Sequence, residues 1–326
     1  GRIGIAKWNN TETAGKGSSN HAPCTPSSMV HTLLIGGDLL QTLRLNLLTK
    51  ETVSDNYGAT GWGKPIWEHS VKSADDKAAI HNATMTYLGR MVPLSRAVRF
   101  NEDGLSVILA NGLDYPIFPA FREATATIIT RKDELAILPA NPSRGLWRQL
   151  AAISVRRRAS ANQNGGPLSL NHEPGAQDAV VWVGALATDK AKIIDTIEST
   201  YSIPTGMFSE FGRAAYEKGV AYAESFESAL IQSVKTYSGA LKIANPAYNS
   251  ARQHFWGRVE QHLSSLFDIA RSPDIVANLP GSAWGKDVQA AMYAAYEQSC
   301  PRQSARQLMA YSLGIHKLTI RPKTKG

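Results

Sequence analysis

Residues Phe208–Leu241 read FSEFGRAAYEKGVAYAESFESALIQSVKTYSGAL, and the spacing of their apolar side chains decides the fold class. Phe208, Phe211, Ala215, Tyr222, Phe226, Leu230, Val234, Tyr237 and Leu241 recur at three- and four-residue steps or their sum. That spacing lines one face of an α-helix. Downstream, Phe255, Val259, Leu263, Leu266, Phe267 and Ala270 repeat the pattern. Asp287–Ser299 and Arg302–Gly314 complete a set of amphipathic stretches, and Pro301 between the last two suits the first turn of a new helix. Such stretches on short connections predict an antiparallel four-helix bundle over residues 201–326.

Upstream of residue 200 the pattern differs. Between residues 85 and 145, VRF, LSVILAN, TATIIT and LAILP are β-rich runs set off by the turn signals Glu102-Asp103-Gly104 and Arg131-Lys132-Asp133. AVVWVGALA, Ala179–Ala187, reads as a buried strand, and Leu146–Val155 as a short helix. Leu39, Leu40, Leu43 and Leu47 fall at helical spacing behind Asp38, a suitable N-cap. Residues 1–28, 49–63 and 159–175 read as loop, and the pair Asp75-Asp76 as solvated charge in a polar loop. The expected fold class is α+β: a mixed α/β N-terminal domain at 1–200, followed by the bundle at 201–326.

The chain has 326 residues, 43% hydrophobic and 19% charged, which excludes a disordered polypeptide. Lys and Arg outnumber Asp and Glu by 35 to 27, a net charge of +8 that suits a polyanionic partner. Its two cysteines, Cys24 and Cys300, cannot furnish a four-cysteine zinc site or a disulfide framework, and they fit a reducing cytoplasm. No apolar run reaches the roughly 20 residues of a membrane span. The first residues, GRIGIAKWNN, lack a signal-peptide layout and an initiator Met, so a fragment or processed product is expected.

Catalytic motifs are scarce. Gly58–Lys64 fits the G-x-x-x-x-G-K spacing of a phosphate-binding loop, whose backbone amides cradle phosphates. Pro65 follows where a Ser or Thr would ligate magnesium, so the segment reads as a glycine-rich turn and a nucleotide hydrolase is the weaker alternative. His254 and His262 stand eight residues apart on one expected helix without an acidic companion, which argues against a metal site. No G-x-S-x-G or H-E-x-x-H motif occurs. The expectation is a non-enzyme without cofactor or metal. Two cationic elements remain: the flexible run Gly15-Lys16-Gly17-Ser18-Ser19, and the turn Thr188-Asp189-Lys190-Ala191-Lys192 at the end of a buried strand. Arg156-Arg157-Arg158 is a third basic run, suited to a nucleic-acid backbone or to plain solvation.

A series of segments resembles the CasA family, the large subunit of the type I-E CRISPR surveillance complex Cascade. In order they are GGDLLQTLRLNLLT (Gly36–Thr49), KPIWE (Lys64–Glu68), YLGRMVPLSRAVRF (Tyr87–Phe100), NGLDYP (Asn111–Pro116), SRGLWRQLAAI (Ser143–Ile153), VGALATDKAKIID (Val183–Asp195) and ARQHFWGRVE (Ala251–Glu260). The resemblance covers the middle and C-terminal parts of the family pattern and implies the same α/β-plus-bundle layout. It also implies a non-catalytic subunit that recognises the protospacer-adjacent motif (PAM) from the minor-groove side, aids duplex opening and recruits a helicase–nuclease. The implied partners are the other Cascade subunits, CRISPR RNA and double-stranded target DNA, with no membrane, in the cytoplasm.

Carried over by position, the family's glycine loop falls on Gly15, Lys16, Gly17 and Ser18, and its strand-separating wedge on Asp189, Lys190 and Ala191, with Lys192 closing the turn. The wedge of the family often carries Gln where Lys190 stands, and a minor-groove lysine of the family aligns near Leu105, which is not basic. A structural subunit-docking protein without DNA contact is the alternative reading.

Overall fold

The computed structural model describes residues 2–4, 28–57, 61–91, 94–115, 123–157, 164–172, 177–189 and 192–318. The chain divides into two compact units, Gly1–Ile203 and Pro204–Gly326. The first unit runs through β1 (Arg2–Gly4), β2 (His31–Leu34), α1 (Leu39–Asn46), α2 (Lys50–Tyr57), α3 (Lys77–Met85), α4 (Tyr87–Met91), β3 (Leu94–Phe100) and β4 (Val107–Asn111). It continues with β5 (Ile128–Arg131), β6 (Glu134–Ile137), α5 (Leu150–Ile153), β7 (Ala179–Asp189) and β8 (Lys192–Ile203). The strands form three antiparallel sheets, ordered β1-β3-β4, β2-β7-β8 and β5-β6.

Several expectations need correction. Arg2–Gly4, expected as loop, pair with β3, and α2 occupies most of the stretch 49–63. Asp76 is no idle surface charge. Its carboxylate caps α3 by accepting the Ala78 and Ala79 amides and also takes the Lys72 amide, which holds its pKa below the usual aspartate value. At the β5–β6 turn, Lys132 (φ 52°) and Asp133 (φ 64°) both adopt the left-handed conformation that a two-residue hairpin connection demands.

Helix α1 begins as expected: the Asp38 carboxylate accepts the Gln41 amide at 2.7 Å. Its attachment is unusual, because none of its residues is buried. The Asn46 side-chain amide instead donates to the Leu34 carbonyl (2.7 Å) and accepts the Leu34 N–H (3.0 Å), as a neighbouring strand would. Thr42 Oγ1 accepts the Gly36 N–H at 2.9 Å. Polar contacts fix this helix to the edge of β2.

In the second unit, α6 (Glu210–Leu241) is followed by α7 (Tyr248–Glu260), α8 (Leu263–Arg271), α9 (Ala283–Ser299) and α10 (Ala305–Leu318). Ser209 caps α6 by accepting the Gly212 amide, and Lys242, at φ 56°, ends it in the left-handed conformation. Helix α6 buries Ala215, Tyr216, Val220, Ala223, Phe226, Leu230, Val234 and Tyr237, and packs against each of the other four helices. Phe211, expected in that stripe, points to solvent. The second expected stretch breaks at Gln261-His262 into α7 and α8, which together form the second arm of the four-helix bundle. Pro301 lies ahead of α10 rather than in its first turn.

Buried polar groups are paired across the bundle: Trp284 Nε1 donates to Gly219 O (2.9 Å), Tyr296 Oη to Tyr311 O (2.9 Å) and Tyr237 Oη to Pro301 O (2.7 Å). Cys300 is buried, and desolvation pushes its thiol up to about 12, which leaves it unreactive at neutral pH. Among the described residues no helix is long and apolar enough to cross a membrane.

Candidate nucleic-acid interface

The longest strand pairing in the molecule carries the turn that the sequence singled out. Strands β7 and β8 run antiparallel from Ala179 opposite Ile203 to Asp189 opposite Lys192. Lys190 and Ala191, between those paired residues, lie outside the described residues. The sequence analysis found β7 but missed β8, although KIIDTIESTYSI is rich in β-branched residues.

The hairpin is fixed at its base and bare toward its end. Val181, Val183, Tyr201 and Ile203 are buried in the first unit. Leu186, Ile193 and Ile194, near the turn, are 50%, 57% and 60% exposed. The register shifts between Ala187 and Thr188, leaving Ile194 without a cross-strand partner. Such a bulge bends and twists a hairpin and so re-aims its tip. The outer edge of β8 is partly sealed by its own side chains: Asp195 Oδ1 accepts the Thr196 amide (2.8 Å), and Ser199 Oγ donates to the Glu198 carbonyl (2.7 Å). Capping of this kind discourages addition of a further strand. Leu186, Ile193 and Ile194 are site candidates that the sequence reading overlooked. The available signal was a charged turn flanked on both sides by apolar residues.

The glycine run Gly15-Lys16-Gly17-Ser18 lies outside the described residues. The next described segment enters β2, and β2 is hydrogen-bonded to β7, the first strand of the hairpin. The arginine run divides. Arg156 is exposed and Arg158 lies outside the described residues, but Arg157 is buried. Its Nη2 donates to the carbonyls of Glu123 and Ala124, each at 3.1 Å, and burial pushes its pKa down to about 10. Arg157 staples two loops and is not a phosphate contact.

The turn ending in Gly63-Lys64 is not an open amide cradle. Gly63 adopts φ +60°, and a Cβ there would collide with Thr86 and Asn82. The Asn82 amide accepts the Lys64 N–H (2.9 Å) and donates to the Lys64 carbonyl (2.7 Å). The backbone amide that a phosphate would need is already engaged. His254 pairs with Ser250 on α7, while His262 sits before α8 with Nδ1 3.6 Å from Asp287. The two histidines therefore belong to different helices. Among the described residues no cluster of His, Cys, Asp and Glu is arranged to hold a metal ion.

The family model for CRISPR-associated protein Cse1 matches residues 6–295, most of the chain. The chain belongs to the Cse1 family. Among solved structures it is similar to a Thermus thermophilus CasA, with 19% identity and a TM-score of 0.65, over 97% of this chain and 68% of that one. A second Thermus thermophilus CasA (Cse1) structure gives 19% identity and a TM-score of 0.60, over 89% of this chain and 62% of that one. Cse1 from Acidimicrobium ferrooxidans gives 16% identity and a TM-score of 0.55, over 89% and 62%. These likenesses establish the shared fold, and this chain spans roughly two thirds of the length of those Cse1 relatives. No curated protein matches it.

One departure from the expected Cse1 pattern is visible at the β3–β4 turn. Leu105 is almost fully exposed at its tip, and Asp103 Oδ1 accepts the Leu105 amide at 2.9 Å. Gly104 supplies the left-handed residue, at φ +68°. With Glu102 and Asp103 beside Leu105, this turn carries negative charge and no cation, so it is poorly suited to phosphate.

Proposed function

We propose that this chain acts as the non-catalytic large subunit of a CRISPR RNA-guided surveillance complex. In this reading it recognises a PAM in double-stranded DNA, helps open the duplex and recruits a helicase–nuclease in the cytoplasm. Its partners are the other Cascade subunits and CRISPR RNA. Membership of the Cse1 family supports the assignment, as does the likeness to a chain of a CRISPR RNA-guided surveillance complex at 16% identity and a TM-score of 0.57.

The observation that carries the DNA reading is the β7–β8 hairpin, buried at its base and apolar toward its end. A wedge must stay rigid while it offsets the cost of unstacking a base step, about a few kcal/mol. Buried Val181, Val183, Tyr201 and Ile203 supply the rigidity. Leu186, Ile193 and Ile194 supply apolar surface of the kind that enters a base step, and Asp189, Lys190, Ala191 and Lys192 form the leading turn. The two lysines would attract the phosphates of the parted strands. Gly15, Lys16, Gly17 and Ser18 would approach the minor groove, where glycines permit close backbone contact. Base pairing with the guide RNA would then read the remaining sequence, as in other RNA-guided systems. Recruitment of a helicase–nuclease rests on the family pattern and falls to the bundle surface.

The test is PAM-dependent duplex binding by the complex assembled with CRISPR RNA. Lys16→Ala with Lys190→Ala should weaken binding by about tenfold at moderate salt and reduce the salt dependence by roughly two ion equivalents. Unchanged affinity would remove these residues from the interface. Equal binding by a complex lacking the whole chain would defeat the assignment. Exposed apolar surface outside the hairpin favours a second reading, subunit docking without DNA contact, and crosslinks from bound DNA to the hairpin separate the two.

A further inference from the structure

We propose that α1 is a docking seat for an amphipathic helix of a neighbouring protein, one that carries a leucine-type seam and an acidic flank. The proposal is independent of the DNA reading. Leu39, Leu40, Leu43 and Leu47 stand 74%, 57%, 56% and 66% exposed. Leu40, Leu43 and Leu47 follow the i, i+3, i+7 spacing of a helix–helix seam, with Leu39 widening the stripe. The opposite side of the helix is occupied: Asn46 binds both backbone groups of Leu34, Thr42 accepts the Gly36 amide, and Gln41 Oε1 accepts the Gly37 amide. The seam is therefore held outward by hydrogen bonds rather than left over from incomplete packing.

Charge and area identify the occupant. Arg44 is the one charged residue of α1 and is exposed, while Lys50 and Glu51 at the start of α2 offset each other. A partner helix with acidic residues beside its seam answers Arg44. A second copy of this chain does not, because a two-fold contact centred on this short helix brings Arg44 close to its own symmetry mate. The leucine face amounts to an apolar patch on the order of 450 Å², near the upper size found on ordinary monomers. Two such faces together bury about 900 Å², short of the roughly 1,200 Å² of a stable interface. A longer helix that also reaches surface beyond α1 meets that requirement.

The probe is a labelled 21-residue designed helix with Leu at its seam positions and Glu at its flanks, compared by fluorescence anisotropy with the same peptide carrying Lys at the flanks. The intact chain should bind the Glu peptide at least about fivefold more tightly than the Lys peptide. Leu39→Glu with Leu43→Glu should remove at least about tenfold in affinity while leaving the thermal melt unchanged. Arg44→Glu should reverse the preference between the two peptides, a change that a merely structural role for α1 would not produce. Equal binding of both peptides, or undiminished binding by the double variant, would overturn the proposal. So would failure of the double variant to fold, because the leucines would then be covered within the chain. A concentration-dependent dimer in sedimentation velocity that the double variant abolishes would assign the face to a second copy and overturn it as well.

Discussion

In α6, Leu230, Val234 and Tyr237 are sealed inside the bundle, whereas in α1 leucines at the same kind of spacing stand in solvent. Both helices start on a capping side chain, Ser209 for α6 and Asp38 for α1. They differ in how they are attached. Helix α6 is attached through its apolar face, and α1 through Asn46, Thr42 and Gln41. Periodicity thus reports that a helix forms and which face is apolar. What covers that face depends on which other side chains hold the helix in place.

The comparison can be broken by substitution, starting where the expected effect is largest. Leu230→Ala removes a fully buried side chain at the centre of α6 and should cost about 2–5 kcal/mol, read from chemical denaturation. A loss below about 1 kcal/mol would mean that the α6 face is less tightly packed than its burial implies. Asn46→Ala leaves the Leu34 N–H and C=O without their side-chain partner and should cost about 1–3 kcal/mol. It should also raise hydrogen exchange at the amides of α1. Unchanged exchange there would show that something other than Asn46 holds the helix. Leu43→Ala should change stability by no more than about 0.5 kcal/mol, because its side chain already meets water. A larger loss would place Leu43 in a core and erase the contrast.

The four-helix bundle was legible because each buried stripe runs for several turns in one period. Its errors are local: Gln261-His262 break the second arm without a proline or glycine to announce it, and Pro301 stands ahead of its helix. The α/β unit was harder to read. Helix α2 has few apolar residues, only Val53 and Tyr57 being buried, so periodicity had little to act on. Strand β8 was missed because Asp195, Thr196, Glu198 and Thr200 face solvent and dilute its apolar content.

At the candidate interface the cationic turn was legible as charge at a strand end. The apolar residues beneath it were not, since Ile193 and Ile194 look like core residues until the hairpin is seen to outrun its own core. Arg157 shows the reverse case. In sequence it belongs to a basic run, but Gly165 packs against it and two carbonyls take its guanidinium, so it serves the fold.

The most direct test of the central claim is strand opening at the PAM-proximal base pairs, followed by permanganate reactivity of target DNA on the assembled complex. With Ile193→Ser and Ile194→Ser, opening should fall by about tenfold while PAM-dependent duplex binding is retained, because removal of the wedge spares the groove contacts. Full permanganate reactivity in that variant would contradict the wedge and leave the hairpin without a part in separating the strands.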